Sequence, residues 1–168
     1  MTVRWTDYDS TVCSVARTSD IIGDRWTLLV LRDLFNGVQR FEELVVHLGV
    51  ARDLLSRRLE KLVGAGLVAR RAYQDPGSRT RYEYQLTEAG LDLRPVLVAL
   101  AQWGDRHLAG PAGPPTAILH EECGAAVHLS IDCDAGHRID RGRDLRMVPL
   151  KAAKRIRPSA SAAGPTRR

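Results

Sequence analysis

Residues 41–86 read FEELVVHLGV ARDLLSRRLE KLVGAGLVAR RAYQDPGSRT RYEYQL, and the order of elements in this stretch decides the fold. Residues 42–48 predict a short amphipathic helix with Leu44, Val45 and Leu48 facing inward. Gly49 supplies a turn. Residues 52–64 predict a second helix, because Leu55, Leu59, Leu62 and Val63 recur at i, i+4, i+7 and i+8. Its opposite face carries Arg52, Asp53, Ser56, Arg57 and Lys61. Ala65-Gly66 closes it. Two strand-like runs follow, 67–73 and 81–86, around the polar turn Gln74-Asp75-Pro76-Gly77-Ser78-Arg79-Thr80. That pattern predicts a β-hairpin.

Working upstream, residues 26–35 (WTLLVLRDLF) form a Leu- and Val-dense segment that reads as a mostly buried helix. Asp24 is placed to cap it, and Asn36-Gly37 ends it. Residues 13–22 predict a shorter helix, with Val12, Val15, Ala16 and Ser19 at roughly helical spacing. Residues 38–41 are short and strand-like, and residues 1–10 are polar and expected to be flexible. Downstream, Thr87 is a cap for a helix running to about residue 108, with Gly90 a weak spot early in it. Leu93, Val96, Leu97, Leu100 and Trp103 lie on one side of that helix. Gly110-Pro111-Ala112-Gly113-Pro114-Pro115 begins a linker over 110–116. The expected fold is α+β, mainly α: a winged helix-turn-helix over 11–109 with a long helix after the hairpin, then a small Cys/His segment over 117–150. Residues 151–168, rich in Ala, Ser, Pro and Arg, read as a disordered basic tail.

The composition agrees with one domain and an appendage. Hydrophobic residues make up 44% of the 168, enough for a core, but aromatics only 5%, so the core is mainly Leu, Val and Ala. No run approaches the roughly 18 apolar residues that a membrane span requires. The first ten residues show no basic-then-apolar export pattern, and a cytoplasmic location is expected. The net charge of +5 suggests an acidic partner. Lys151, Lys154, Arg155, Arg157, Arg167 and Arg168 account for it, and the first 150 residues are near neutral. A face for an anionic polymer on the folded part is therefore a local patch.

Two short helices joined by a glycine turn and followed by a hairpin suit the DNA major groove, which admits one helix and exposes base edges to its polar side. Arg52, Asp53, Ser56 and Arg57 occupy that side of the second helix. Arg can pair with guanine, while Ser and the amides of a helix start can hold phosphate. Arg79 and Arg81 at the hairpin tip are placed to reach phosphates or the adjacent minor groove. The alternative is an ordinary solvated helix face and loop.

The stretch from Cys13 through Gly23-Asp24-Arg25-Trp26 to Arg32-Asp33-Leu34 resembles the signature of the HxlR family, itself similar in fold to MarR-type regulators. Arg40-Phe41-Glu42-Glu43-Leu44, Leu55-Ser56-Arg57-Arg58-Leu59, Gly66-Leu67-Val68, Arg81-Tyr82-Glu83-Tyr84 and Leu86-Thr87-Glu88-Ala89-Gly90 follow in the family's order. The resemblance covers about residues 13–107. It implies a bacterial repressor or activator that binds double-stranded DNA as a two-fold homodimer, with a recognition helix starting near Arg52 and a wing at 73–81. The dimer would be built from the first helix and the helix at 87–108. Two reading helices one DNA turn apart, about 34–36 Å, imply a palindromic operator. One departure concerns the recognition helix: Val50-Ala51 stands where the family pattern has Ile and a small capping residue, so no side-chain cap is expected there.

The resemblance also implies that Cys13 is a candidate sensor of oxidants or electrophiles, with Arg17 one turn on as a cation favouring thiolate. Simple packing is the alternative role for such a cysteine. A small-molecule or electrophile effector is thus an expected partner. In the last segment, His120, Cys123, Cys133 and His137 form two N/S pairs separated by nine residues, a candidate zinc site with His128 as a substitute ligand. The competing arrangement is a metal-free hairpin unit. An enzyme is disfavoured, since no metal-hydrolase motif or glycine-rich phosphate loop is present and Glu121 and Glu122 read as solvated. A winged-helix module for protein contacts stands as the alternative function.

Overall fold

The computed structural model describes residues 3–74, 77, 79–140 and 142–156. Six helices and one hairpin carry the described fold: α1 (Ser14–Ile22), α2 (Arg25–Phe35), α3 (Phe41–Leu48), α4 (Arg52–Gly64), β1 (Val68–Tyr73), β2 (Arg81–Leu86), α5 (Glu88–Leu91) and α6 (Arg94–His107). The core forms where α2 and α4 pack together. Val30, Leu31 and Leu34 of α2 meet Leu55, Leu59 and Leu62 of α4, with Leu44 from α3, Val50, Ile22 and Val68 closing the edges. Burying each such Leu or Val is worth about 1.5–3 kcal/mol, so this cluster dominates the stability of the head. Val63, expected in the stripe, is instead 37% exposed. It falls at the rim, where α4 leaves its neighbours before the Gly66 turn.

Local chemistry sets the ends of the elements. Asp24 caps α2, its Oδ1 accepting from the amides of Trp26 and Thr27, each at 3.1 Å. Gly49 ends α3 in the left-handed region (φ 60), which glycine enters without a Cβ penalty. β1 and β2 pair antiparallel with Val68 opposite Leu86 and Tyr73 opposite Arg81. The short strand expected at 38–41 shrinks to one bridge, Arg40 with Glu83, and the Tyr84 amide donates to the Gln39 carbonyl at 2.9 Å. Phe41 already belongs to α3, which leaves no room for a longer strand.

The single long helix expected over 87–108 is two helices. Thr87 caps α5, its hydroxyl accepting from the Gly90 amide at 3.2 Å. The axis then breaks at Asp92-Leu93, because Pro95 lacks an amide proton and starts a new helix in its first turn. The termini also differ from expectation. Residues 5–7 and 10–12 form single 3-10 turns. Tyr8 bridges to Arg155, the Asp9 amide donates to the Lys154 carbonyl at 2.9 Å, and the Ile156 amide donates to Asp7 at 3.0 Å. Residues 7–9 and 154–156, expected to be flexible and disordered, satisfy one another's backbone groups. The expected disorder of 157–168 lies outside the described residues. Among the described residues no helix is long and apolar enough to cross a membrane.

Candidate nucleic-acid interface

α4 presents opposite faces to the core and to solvent because its Leu residues recur with the helical period. Leu55, Leu59 and Leu62 are buried, while Arg52, Asp53 and Arg57 are exposed and Ser56 is half-buried. Arg52, Asp53, Ser56 and Arg57 therefore share the outward side and first turns of one helix. Ala51 occupies the N-cap with extended backbone (φ −62, ψ 137) and offers no side-chain acceptor. Free amides at that end, with the helix dipole, suit a phosphate oxygen.

Arg52 is not a free guanidinium. It forms a two-pronged pair with Glu42 of α3, at 2.6 and 2.5 Å, and its head lies 5.2 Å from the centre of the Phe41 ring. The hydrogen bond from Arg52 holds the Glu42 carboxyl below its usual range, helped by the nearby charges of Arg52 and Arg81. The same bond raises the Arg52 pKa. Arg52 is thus aimed by α3, and Arg81 of the wing is near enough to α3 to be felt there. Lys61, expected on the outward face, turns the other way: its Nζ donates to the Asp20 carbonyl near the end of α1.

The wing adds a second band of positive charge. Arg79 and Arg81 are exposed at the end of the hairpin, as are Arg70 and Arg71 on β1. Arg70 stacks at 3.4 Å over the Tyr82 ring, and Arg40, beside the wing, lies 4.7 Å from the centre of Tyr73. Stacking on a ring face stiffens both guanidiniums. Sequence reasoning passed over Arg40, Arg70 and Arg71, although the Arg70-Arg71 pair on a predicted strand was a usable signal.

Contacts of two carboxylates, one buried and one part-exposed, tie the helices to one another. Asp33, with no exposed surface, accepts from Arg32 Nε at 2.9 Å and Nη2 at 2.7 Å, and its other oxygen lies 2.7 Å from His47 Nδ1 on α3. Arg58 Nε of α4 lies 3.1 Å from Asp24 Oδ1. Burial resists ionisation of Asp24, but hydrogen bonds from Thr27 and Trp26 and the charge of Arg58 outweigh it and lower its pKa. The sequence carries no periodic signal for pairs fourteen and thirty-four positions apart.

Cys13 is half-buried at the N-cap of α1, its thiol free and its carbonyl accepting from the Arg17 amide at 3.0 Å. The four Cys/His residues fall into two turns. His120 Nδ1 lies 3.2 Å from Cys123 Sγ, and His137 Nδ1 lies 3.5 Å from Cys133 Sγ. Among the described residues no three His, Cys, Asp or Glu side chains gather closely enough to hold a metal, so one protomer does not unite the pairs or recruit His128. One turn is closed by the Leu119–Ala126 bridge and the other by the Asp132–Arg138 bridge.

A model of the HxlR-like helix-turn-helix matches residues 21–111. The chain is 50% identical over 121 residues to an HTH-type transcriptional regulator of Mycobacterium tuberculosis, covering 71% of this chain and 75% of that one. Its fold is similar to the crystal structure of PA1607, assigned as a transcription factor, with a TM-score of 0.73, 34% identity, and 82% and 94% of the two chains covered. A second transcription-factor structure, from Pseudomonas aeruginosa, matches with a TM-score of 0.58 and 31% identity over 84% and 95% of the chains. The family model spans more than half of the chain, and the relatives it resembles are regulators of the same type: the chain belongs to the HxlR-like helix-turn-helix family and is a transcriptional regulator, not an enzyme.

Proposed function

We propose that the protein binds a palindromic operator as a two-fold homodimer and represses transcription from it. The observation that carries this reading is the joint display of Arg57 and Ser56 on α4 and Arg79 and Arg81 on the wing, which spans a groove and its flanking phosphates. Arg57, exposed on α4, is the side chain suited to a guanine edge, whereas Arg52 spends both Nη groups on Glu42. Asp53 in the first turn of α4 limits how closely a phosphate approaches beside it. The dimer is supported by Val96, Leu100 and Trp103, spaced i, i+4 and i+7 on α6 and 41–50% exposed, together with Val15 of α1 at 66%. A stripe of that kind is the seam of a helix pair.

The test is binding to the DNA upstream of its own gene at two salt concentrations, with random DNA as competitor. The double variant Arg57→Ala/Arg81→Ala should lose at least tenfold in operator affinity and show a shallower salt dependence, because phosphate contacts release counterions. Undiminished binding by that variant would return the fold to a protein-contact module. An effector response is proposed to enter through Cys13, by adduct formation with an electrophile at Sγ. α1, which Cys13 starts, is tied at its other end to α4 by the Lys61–Asp20 contact, so a shift of α1 reaches the recognition helix. Cys13→Ser should make operator binding indifferent to a quinone; retained sensitivity discards this route.

A further inference from the structure

The two Cys/His turns differ in length, but each is closed at a glycine with positive φ. In the first, the Gly124 amide donates to the His120 carbonyl at 2.8 Å and Gly124 has φ 68. In the second, the Gly136 amide donates to the Cys133 carbonyl at 2.8 Å and Gly136 has φ 79. Each turn brings one imidazole Nδ1 and one thiol together, at 3.2 and 3.5 Å. Zinc at its usual bond lengths, about 2.3 Å to sulfur and about 2.05 Å to nitrogen, sets an N···S edge of about 3.6 Å in a tetrahedron. Both pairs therefore already stand close to the edge of a tetrahedral zinc site. Each supplies half the ligands, and the described protomer joins neither to a third.

Where the other half comes from follows from how the turns are mounted. Gln102 of α6 holds the segment between them with both ends of its amide, its Nε2 donating to the Val127 carbonyl at 2.8 Å and its Oε1 accepting from the Leu129 amide at 3.1 Å. Gln102 neighbours Trp103, on the helix whose apolar stripe is uncovered. The segment itself is uncovered too: Ile118, Leu119, Leu129 and Ile131 are all more than a third exposed. A two-fold interface is self-complementary, so if one turn of a protomer meets the other turn of its partner, the reverse contact forms by symmetry.

We propose that His120 and Cys123 of one copy and Cys133 and His137 of a second copy close an N2S2 zinc site, two sites per dimer, which staple the C-terminal segments across the interface. The site rests on the homodimer proposed above. Binding takes the imidazoles neutral and the thiols as thiolates, so two protons pass to solvent for each zinc and no electrons move.

Two tagged variants test it, one carrying His120→Ala and Cys123→Ser, the other Cys133→Ser and His137→Ala. Each alone has only one kind of half-site, and neither should retain zinc after dialysis, whereas the native protein should hold about one per chain. Co-expressed and recovered through both tags, the mixed dimer has one complete site and should hold about half of the native content, with the tetrahedral cobalt absorption restored on substitution. Native protein without zinc, or a mixed dimer without zinc while the native protein binds it, overturns the shared site. Copurification of the tags scores the dimer separately, so failure of that reading is distinguishable from failure of the metal site. Matching far-ultraviolet circular dichroism of each variant with native protein excludes misfolding as the cause of metal loss.

Discussion

Asp24 does more than end a loop. It caps α2 and places its carboxylate 3.1 Å from Arg58 of α4, so one side chain serves both a helix start and a contact to the neighbouring helix. Replacing it by Ala should cost about 1–2 kcal/mol, read from urea unfolding, since a lost cap alone is worth that much. Its folded pKa lies below the ordinary 3.8. The stability it adds is therefore complete above that value and is lost as pH falls through the folded pKa. Asp24→Asn should flatten the acid limb of the stability profile below about pH 4; an unchanged limb would place the acid-sensitive group elsewhere. The capping role was legible from Asp24 preceding an apolar run. The link to Arg58 was not, because nothing in local spacing predicts a partner on another helix. Arg52 teaches the same lesson: its place on the outer face was readable, but its fork into Glu42 required the α3–α4 angle.

At the scale of elements, the boundaries of α4 and of the hairpin followed from period and punctuation, whereas the helix after the wing did not. Gly90 looked like a mere weak point. In the structure it is buried, and a Cβ there would stand 2.1 Å from the Leu67 carbonyl and 3.1 Å from a Leu86 methyl. α5 crosses the base of the wing at a distance only glycine permits, while the Thr87 amide and hydroxyl donate to the Leu67 and Gly66 carbonyls. Gly90→Ala should destabilise the protein by about 1–3 kcal/mol through overpacking, although Ala is the better helix former. A neutral or stabilising effect in thermal unfolding would show that the crossing can relax. The break at Asp92-Leu93 was available in principle, because Pro95 suits a helix start and not a helix interior.

At the scale of the whole molecule, the head has a core and the rest has little. α6 carries no fully buried residue, and only Leu93 and Leu97 near its start lean on the core. Its remaining apolar side, Val96, Leu100 and Trp103, is uncovered and is the surface that the proposed dimer would use. Leu100→Glu should halve the mass seen by sedimentation equilibrium and abolish protection of a two-half-site operator, while the fold of the head persists. A variant that remains dimeric would move the interface off α6. In the C-terminal segment, spacing offers four ligands as one metal site, whereas the described protomer holds them as two separate Cys/His pairs.

By itself the sequence determined the element order, the apolar faces of α2 and α4, the glycine turn between the helices and the charged side of α4. All of these depend on residues within a few positions of one another, where periodicity and turn chemistry act. Tertiary structure alone decided which charges are spent inside the protein and which stay outward. Arg58, Lys61 and Asp33 are committed to neighbouring helices, while Arg57, Arg79 and Arg81 stay exposed. Lys61 and Arg57 look alike in the chain; the packing angle of α4 on α1 and α2 turns one toward a carbonyl and leaves the other in solvent.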